Sequence, residues 1–478
     1  MHCVARGVVP LGVCVGVVSV CVRCAIDMAS AAQEELDEKL LVAVSRGDNQ
    51  AVQRLLFLGA NKEAVSKQRC RPLHIACQKG NIACLRVLLD AGANVNATDE
   101  WDRTPLQMAC EASQADCVRA LLTAGANVEA RNIFGRTPLH FASETGSGTC
   151  VRVLLDAGAN KEASDNGGET PLFVACTCGH DDCAHTLVAV GANVNAKTKC
   201  GWSPLHSACQ HGRAAWVRVL LDAGANLEEK TESGDTPLLL ACGKGRVDCV
   251  RSLLEAGANI EAQTFGEMWT PLHKACTIGN VACVRMLLKA GANKEAVGSD
   301  GSTPLHTASL YGYEKCVRAL LEAGANTEAQ TISKGLTPLH KACTGGNVAC
   351  TRVLLKAGAN KEAVGSDGST PLHTASLYGY ERCVRALLEA GANIEARTMR
   401  DWTPLHCACN SWNIIGARVL REAGASMAAV TKDGSTALSL ACQNGHNACM
   451  RALLEVGPPR ADGTLPRDGR VCEWLFGW

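Results

Sequence analysis

A four-residue phrase, Thr-Pro-Leu-His or a near variant, returns at a fixed interval and constrains this chain more than any other feature. It starts at Arg71, Thr104, Thr137, Thr170, Ser203, Thr236, Thr270, Thr303, Thr337, Thr370, Thr403 and Thr436, in steps of 33 residues and twice of 34. Gly-Ala-Asn follows 21 positions later in most units, as at Gly92-Ala93-Asn94 and Gly257-Ala258-Asn259. A period of this length marks one small unit stacked on copies of itself, because such a unit cannot bury its apolar face alone. The whole array is therefore expected to form one long solenoid, although its 478 residues would suffice for about three ordinary domains.

Each unit reads as two helices and a loop. Thr104 before Pro105 gives an N-cap and then the first helical position, where proline costs nothing. Leu106, Ala109 and Cys110 fall on one face at helical spacing. Glycine stands nine places after the motif Thr in ten of twelve units, as a left-handed C-cap requires. Cys117, Val118, Leu121 and Leu122 build the second helix, which Gly125 ends. A degenerate first unit, from Leu40 to Gly59, opens with Gln33, Glu34, Glu35, Asp37 and Glu38, the polar outer face of a capping repeat. The unit at Thr403 departs most, with Trp412 where glycine is expected and Gly416 on an apolar face, and a local soft spot is expected there. Residues 271–337 and 338–404 are nearly identical, a two-repeat block copied once.

The pattern resembles the ankyrin-repeat family over residues 31 to 458. The resemblance implies an all-α repeat solenoid of stacked helix-turn-helix units, about 12–13 of them, with projecting β-hairpin loops. It also implies that the motif histidine bonds to the Thr and to neighbouring backbone. The expected organisation is an apolar extension at 1–27, a capping repeat and first hairpin at 28–70, twelve repeats at 71–458 and a C-terminal tail at 459–478.

Chemistry is scarce. Nine cysteines sit six places after the motif Thr and ten sit thirteen places after it, so 19 of 28 occupy two apolar core slots. That favours packing over disulfides or zinc, which needs four converging ligands. The densest cluster, Cys176, Cys178, His180, Cys183 and His185, already spends two members on core slots. Eight of 13 histidines are the fourth motif residue. No nucleophile elbow, phosphate loop or acid–base pair is present, so neither an enzyme, a cofactor nor a small-molecule substrate is expected. Lys plus Arg equals Asp plus Glu at 47 each, and aromatics are 4%, which argues against nucleic acid.

The ends leave alternatives open. Gly7 to Val22 is apolar between Arg6 and Arg23, which resembles a secretory signal or short membrane anchor, while Met28 offers an alternative cytosolic start. The tail carries Arg460, Arg467 and Arg470 before Trp474-Leu475-Phe476-Gly477-Trp478, and is read as a fold-back cap or a docking peptide.

Function is sought in residues the framework leaves unexplained. Six aromatics lie just before the motif Thr, at Trp101, Phe134, Trp202, Phe265, Trp269 and Trp402, a third of the chain's 18 aromatics. Aromatics are favoured anchors of protein interfaces, although sideways packing on the next loop also fits. Tyr311, Tyr313, Tyr378 and Tyr380 flank inter-helix glycines. Met108, Phe141, Val174 and Leu240 are expected as an apolar stripe on the surface of the first helices. In the family this chain resembles, partners bind loop tips and the exposed side of the first helix. The expectation is a non-catalytic cytoplasmic scaffold or adaptor for other proteins. The alternatives are a substrate adaptor of a ubiquitin ligase, or an adaptor held at a membrane, or secreted, through residues 7–22.

Overall fold

The computed structural model describes residues 30–67 and 69–454. The expectations placed on residues 1–27 and on the 459–478 tail lie outside the described residues. Helices come in pairs, beginning with 30–46 and Asn49–Phe57 and ending with Ala437–Gln443 and Asn447–Leu454. A typical pair is Pro105–Glu111 with Ala115–Thr123.

The motif explains the start of each first helix. The Thr137 hydroxyl and the His140 ring together cap the Pro138–Thr145 helix. His140 Nδ1 accepts from the Thr137 N–H at 3.1 Å, and its Nε2 lies 3.0 Å from the Glu169 carbonyl oxygen of the next repeat. A carbonyl can only accept, so Nε2 carries the proton and the ring is neutral. The same bonds recur at His273, His306, His340, His373 and His406. Burial holds the pKa of these rings below the ordinary value, to about 4 at His273 and His306.

The stop of the helix is equally local. Gly80, Gly179 and Gly379 end first helices with φ of 69°, 79° and 83°. Where the sequence offers another residue, the fold imposes the same backbone, at Ser113 (φ 58°) and Trp412 (φ 61°).

The core is narrow and continuous within each stack. Leu106, Ala109, Cys110, Cys117, Val118 and Leu121 are all essentially inaccessible. None of the 23 described cysteines is in a disulfide, and most are buried as small apolar side chains. Burial lifts thiols such as Cys110 and Cys343 well above the ordinary range. In three slots serine replaces this cysteine. The buried hydroxyls of Ser143, Ser309 and Ser376 have no hydrogen-bond partner among the described residues, which shows why a thiol suits the slot better.

Contacts divide the described residues into two units: those up to Ala208 with Val219–Asn226, and Cys209–Arg218 with those from Leu227 on. Each is an all-α repeat solenoid of successive helix pairs. In the first unit Pro105–Glu111 packs on Pro138–Thr145, and that on Pro171–Cys178. In the second, Pro304–Tyr311 packs on Pro338–Thr344, and that on Pro371–Tyr378.

The loops correct one expectation. Among the described residues there is no hairpin strand, only the isolated antiparallel bridge Val430–Thr436. Side chains take the hydrogen bonds that a strand ladder would need. Asp99 Oδ1 accepts from the N–H groups of Trp101 and Arg103, leaving two backbone bonds to close the loop, Arg103 O from Asp99 N–H at 3.1 Å and Asp99 O from Asp102 N–H at 3.2 Å. Successive tips are then tied edge to edge. Trp101 O accepts from Ile133 N–H, Phe134 O from Asn166 N–H and Gly167 O from Lys199 N–H, at 3.2, 2.9 and 2.8 Å.

Candidate interaction site

The three tips just described form the wall of a cleft in the first unit. Asp99, Asn132 and Asp165 each accept two N–H groups from their own loop, so the residue three places before the motif Thr is turned outward. That residue is Trp101, then Phe134, then Gly167. The Trp101 and Phe134 rings stack at 6.4 Å and 18°, and are 45% and 53% exposed. At the third tip glycine contributes no side chain and the cleft opens. Its volume is about 660 Å³, and Phe141, Arg103, Arg136, Asp165 and Glu169 line it with the two rings. A hollow on the first helix pair is larger, at about 710 Å³, but is lined by charged side chains such as Glu35, Lys39 and Arg46 and has no aromatic.

Charge surrounds the rings. Arg103 pairs with Asp99 at 2.9 Å and Glu111 at 2.8 Å. Arg136 pairs with Glu144 at 2.9 Å, Glu169 at 3.1 Å and Asp165 at 3.3 Å. Glu100 accepts from the Trp101 indole N–H at 3.1 Å, and Arg131 donates to the Gly135 and Ser164 carbonyls. Of the charged residues that line the cleft, Arg103 and Arg136 stand against Asp165 and Glu169, two of each sign, and all four are engaged in ion pairs. Burial, and then the Asp165 carboxylate beside it, lifts the Glu169 carboxyl above its ordinary value despite Arg136.

The six sequence-selected aromatics separate into two kinds. Trp101, Phe134 and Phe265 are exposed at loop tips. Trp202, Trp269 and Trp402 stand directly before the motif Thr or Ser and are half-buried. Trp202 lies against His206 and Trp402 against His406, at 6.1 and 6.5 Å. Lys274 Nζ sits 5.8 Å over Trp269 and Lys230 Nζ sits 5.3 Å over Phe265.

The apolar stripe is also corrected. Met108, Phe141 and Val174 are buried and Leu240 is half-buried. Neighbouring first helices pack closely enough to enclose this position, so only Phe141 reaches a cleft. The arginines and carboxylates of that cleft were not singled out in sequence. Their signal is present: Arg103 and Arg136 stand one place before the motif Thr, and Glu111 and Glu144 seven places after it.

Two smaller clefts lie in the second unit, built mostly from the copied block. One, of about 260 Å³, is lined by Glu267, Trp269, Asp300, His306, Tyr311 and Lys341; its counterpart, of about 390 Å³, by Lys334, Leu336, Asp367, His373, Tyr378 and Cys407. Tyr311 and Tyr378 are half exposed, and each stacks on its neighbour, Tyr313 or Tyr380, at 6.5 and 6.4 Å. Tyr313 and Tyr380 lie over Gly279 and Gly346 of the preceding repeat, as His180 lies over Gly146. His180 Nε2 is also 2.8 Å from the Glu144 carbonyl and the Cys183 thiol 3.8 Å from the Ala142 carbonyl, so both cluster members serve packing. Among the described residues no group of three or more His, Cys, Asp or Glu could hold a metal ion, and no helix is long and apolar enough to cross a membrane.

Comparison with protein families matches the profile described as Ankyrin repeats (3 copies) at residues 40–132, 124–198, 189–264, 263–331, 325–398 and 395–462. Among solved structures, the crystal structure of the human ASB11 ankyrin repeat domain is similar, at 34% identity and a TM-score of 0.42, covering 46% of this chain and 98% of that one. Comparison with curated proteins returned no match.

Proposed function

Because the chain belongs to the ankyrin-repeat family, whose repeats mediate protein–protein interaction, we propose that it is a non-catalytic scaffold or adaptor that engages a protein partner through the loop tips of its first unit. One observation carries the reading. Trp101 and Phe134 form a stacked, half-exposed pair beside a 660 Å³ cleft, on loops held in place by buried Asx side chains. Rigid aromatic anchors beside a pocket are where binding energy concentrates in protein interfaces. Binding without turnover is the whole of the activity in this reading. A reducing, cytoplasmic setting belongs to it too, since thiols packed as core residues suit that compartment.

The test is affinity capture from native extract. Intact protein is compared with the Trp101→Ala/Phe134→Ala double variant and with Trp202→Ala. Specific partners should be lost from the double variant and kept by Trp202→Ala, whose ring already rests on His206. Partners that persist unchanged on the double variant would overturn the reading and move the search to Tyr311 and Tyr378.

A further inference from the structure

The copied block repeats a cleft as well as a sequence. In the second unit, Asp300, Leu310 and Tyr311 line the cleft of about 260 Å³, and their copies Asp367, Leu377 and Tyr378 line the cleft of about 390 Å³. The geometry is copied too. Tyr311 stacks on Tyr313 at 6.5 Å and 29°, and Tyr378 on Tyr380 at 6.4 Å and 28°. The inner ring of each pair lies over a glycine of the preceding repeat, Gly279 or Gly346, so the outer ring is supported while it stays half exposed. Asp300 accepts from the Ser302 N–H and hydroxyl at 2.9 and 2.7 Å. Asp367 accepts the same two bonds from Ser369 at 2.9 and 2.8 Å. Burial opposes the charge of both carboxyls, but these bonds hold them below the ordinary value, so each remains an acceptor. Two bonds leave acceptor capacity on a carboxylate.

The rims differ. Glu267, Trp269 and Lys341 edge the first cleft where Lys334, Leu336 and Cys407 edge the second. The smaller Leu336 and Cys407 account for the larger volume of the second. Rim charge does not match either, being a glutamate and a lysine in one and a lone lysine in the other. A charged occupant would therefore suit one cleft and not its copy, whereas an uncharged one suits both.

We infer that the second unit binds a partner chain carrying the same short uncharged segment twice, each copy seating a large apolar side chain against Leu310 and Tyr311, or Leu377 and Tyr378, and donating a hydroxyl or amide hydrogen to Asp300 or Asp367. Packed helix axes stand about 8–10 Å apart, so first helices two repeats apart stand about 20 Å apart. An extended linker of about six residues or more spans that distance. Once one copy is seated, the other binds at high effective concentration. The inference stands apart from the first-unit reading, because the two clefts share no residue with the Trp101 cleft.

The probe is a peptide from a phage-displayed library of random dodecapeptides, selected on the full chain and depleted on the Tyr311→Ala/Tyr378→Ala variant. Its sequence should hold a large apolar residue beside Ser, Thr, Asn or Gln, and no charge. Calorimetry should find two peptides bound per intact chain, and one on either single variant. Joined in tandem through a Gly-Ser linker of about ten residues, it should bind once per chain and about a hundredfold more tightly, and lose that gain on either single variant. Tyr311→Phe and Tyr378→Phe, which keep the rings, should keep both sites. Thermal melting confirms folding; if an alanine variant melts early, Asp300→Asn/Asp367→Asn replaces it in the depletion. Trp101→Ala/Phe134→Ala should leave the peptide's binding unchanged, which separates this site from the first-unit one. The inference is overturned if depletion leaves no peptide, if the selected sequences are charged, if the peptide binds once or depends on one tyrosine alone, or if the tandem form gains nothing.

Discussion

The Trp101 loops of the first unit and the Trp269–Tyr311 loops of the second share one backbone plan, and differ in what covers their rings. In the first unit the tip rings meet each other and solvent. In the second, Lys230 and Lys274 each set an ammonium near one ring, Phe265 and Trp269, although Phe265 stays 60% exposed, and Tyr313 and Tyr380 settle on glycines of the preceding repeat. The lesson is that an aromatic in a repeat loop is surface or framework according to its register, not its residue type. Three places before the motif Thr, Trp101 and Phe134 point out; one place before the motif Ser or Thr, Trp202 and Trp402 lie against the motif histidine.

Acid should separate the two units most strongly. Burial holds His273 and His306 at about 4, against 6.5 for a free ring, so the unfolded chain takes up protons before the folded one does. Stability is therefore full above about pH 6.5 and falls as the pH drops towards 4, by roughly 3 kcal/mol for each of these two rings once protonation is complete. Both rings belong to the second unit, where burial also holds His340, His373 and His406 below the ordinary value, while in the first unit it holds His74 and His140 low. Mass-spectrometric labelling of buried thiols between pH 7.5 and 4.5 should open Cys276 and Cys316 before Cys110 and Cys150. Simultaneous opening would mean that the two stacks respond to acid as one.

A smaller effect tests the tyrosines. A methyl at Gly279 or Gly346 would overlap the ring of Tyr313 or Tyr380, while at Gly257 or Gly125 it would meet nothing within 4 Å. All four have positive φ. Gly257→Ala and Gly125→Ala should cost about 1 kcal/mol from backbone strain alone. Gly279→Ala and Gly346→Ala should cost about 2–3 kcal/mol, adding overlap to strain. Equal shifts in denaturant midpoint for the two pairs would show that the rings swing away freely, and would return Tyr313 and Tyr380 to the candidate surface.

These two cases mark what the sequence made legible. The period, the Thr-Pro cap and the glycine stop are local signals, and they place both helices of a unit without help from tertiary structure. Even Ser113 and Trp412 keep the left-handed turn that their neighbours specify with glycine. Contacts between repeats are not local, and there the reading failed in definite places. Met108 looked exposed because a single helix presents it outward, but the next repeat covers it. Hairpin strands were expected from the ankyrin resemblance, but Asp99 and Asn132 take up the N–H groups that a ladder would use. Within the site, Trp101 and Phe134 were legible as aromatics without an obvious framework role. Their arginine and carboxylate surroundings were not, because Arg136 draws its partners from two different repeats.

The smallest expected effect bears most directly on the contrast. Lys274→Ala removes the ammonium that sits 5.8 Å over Trp269 and 3.5 Å from Asp235. The stability cost should be below about 1 kcal/mol, because partly exposed cation–π and ion pairs contribute little. A larger shift in denaturant midpoint would show that Lys274 holds the Trp269 loop in place, whereas the first-unit rings hold each other through the 6.4 Å stack of Trp101 on Phe134.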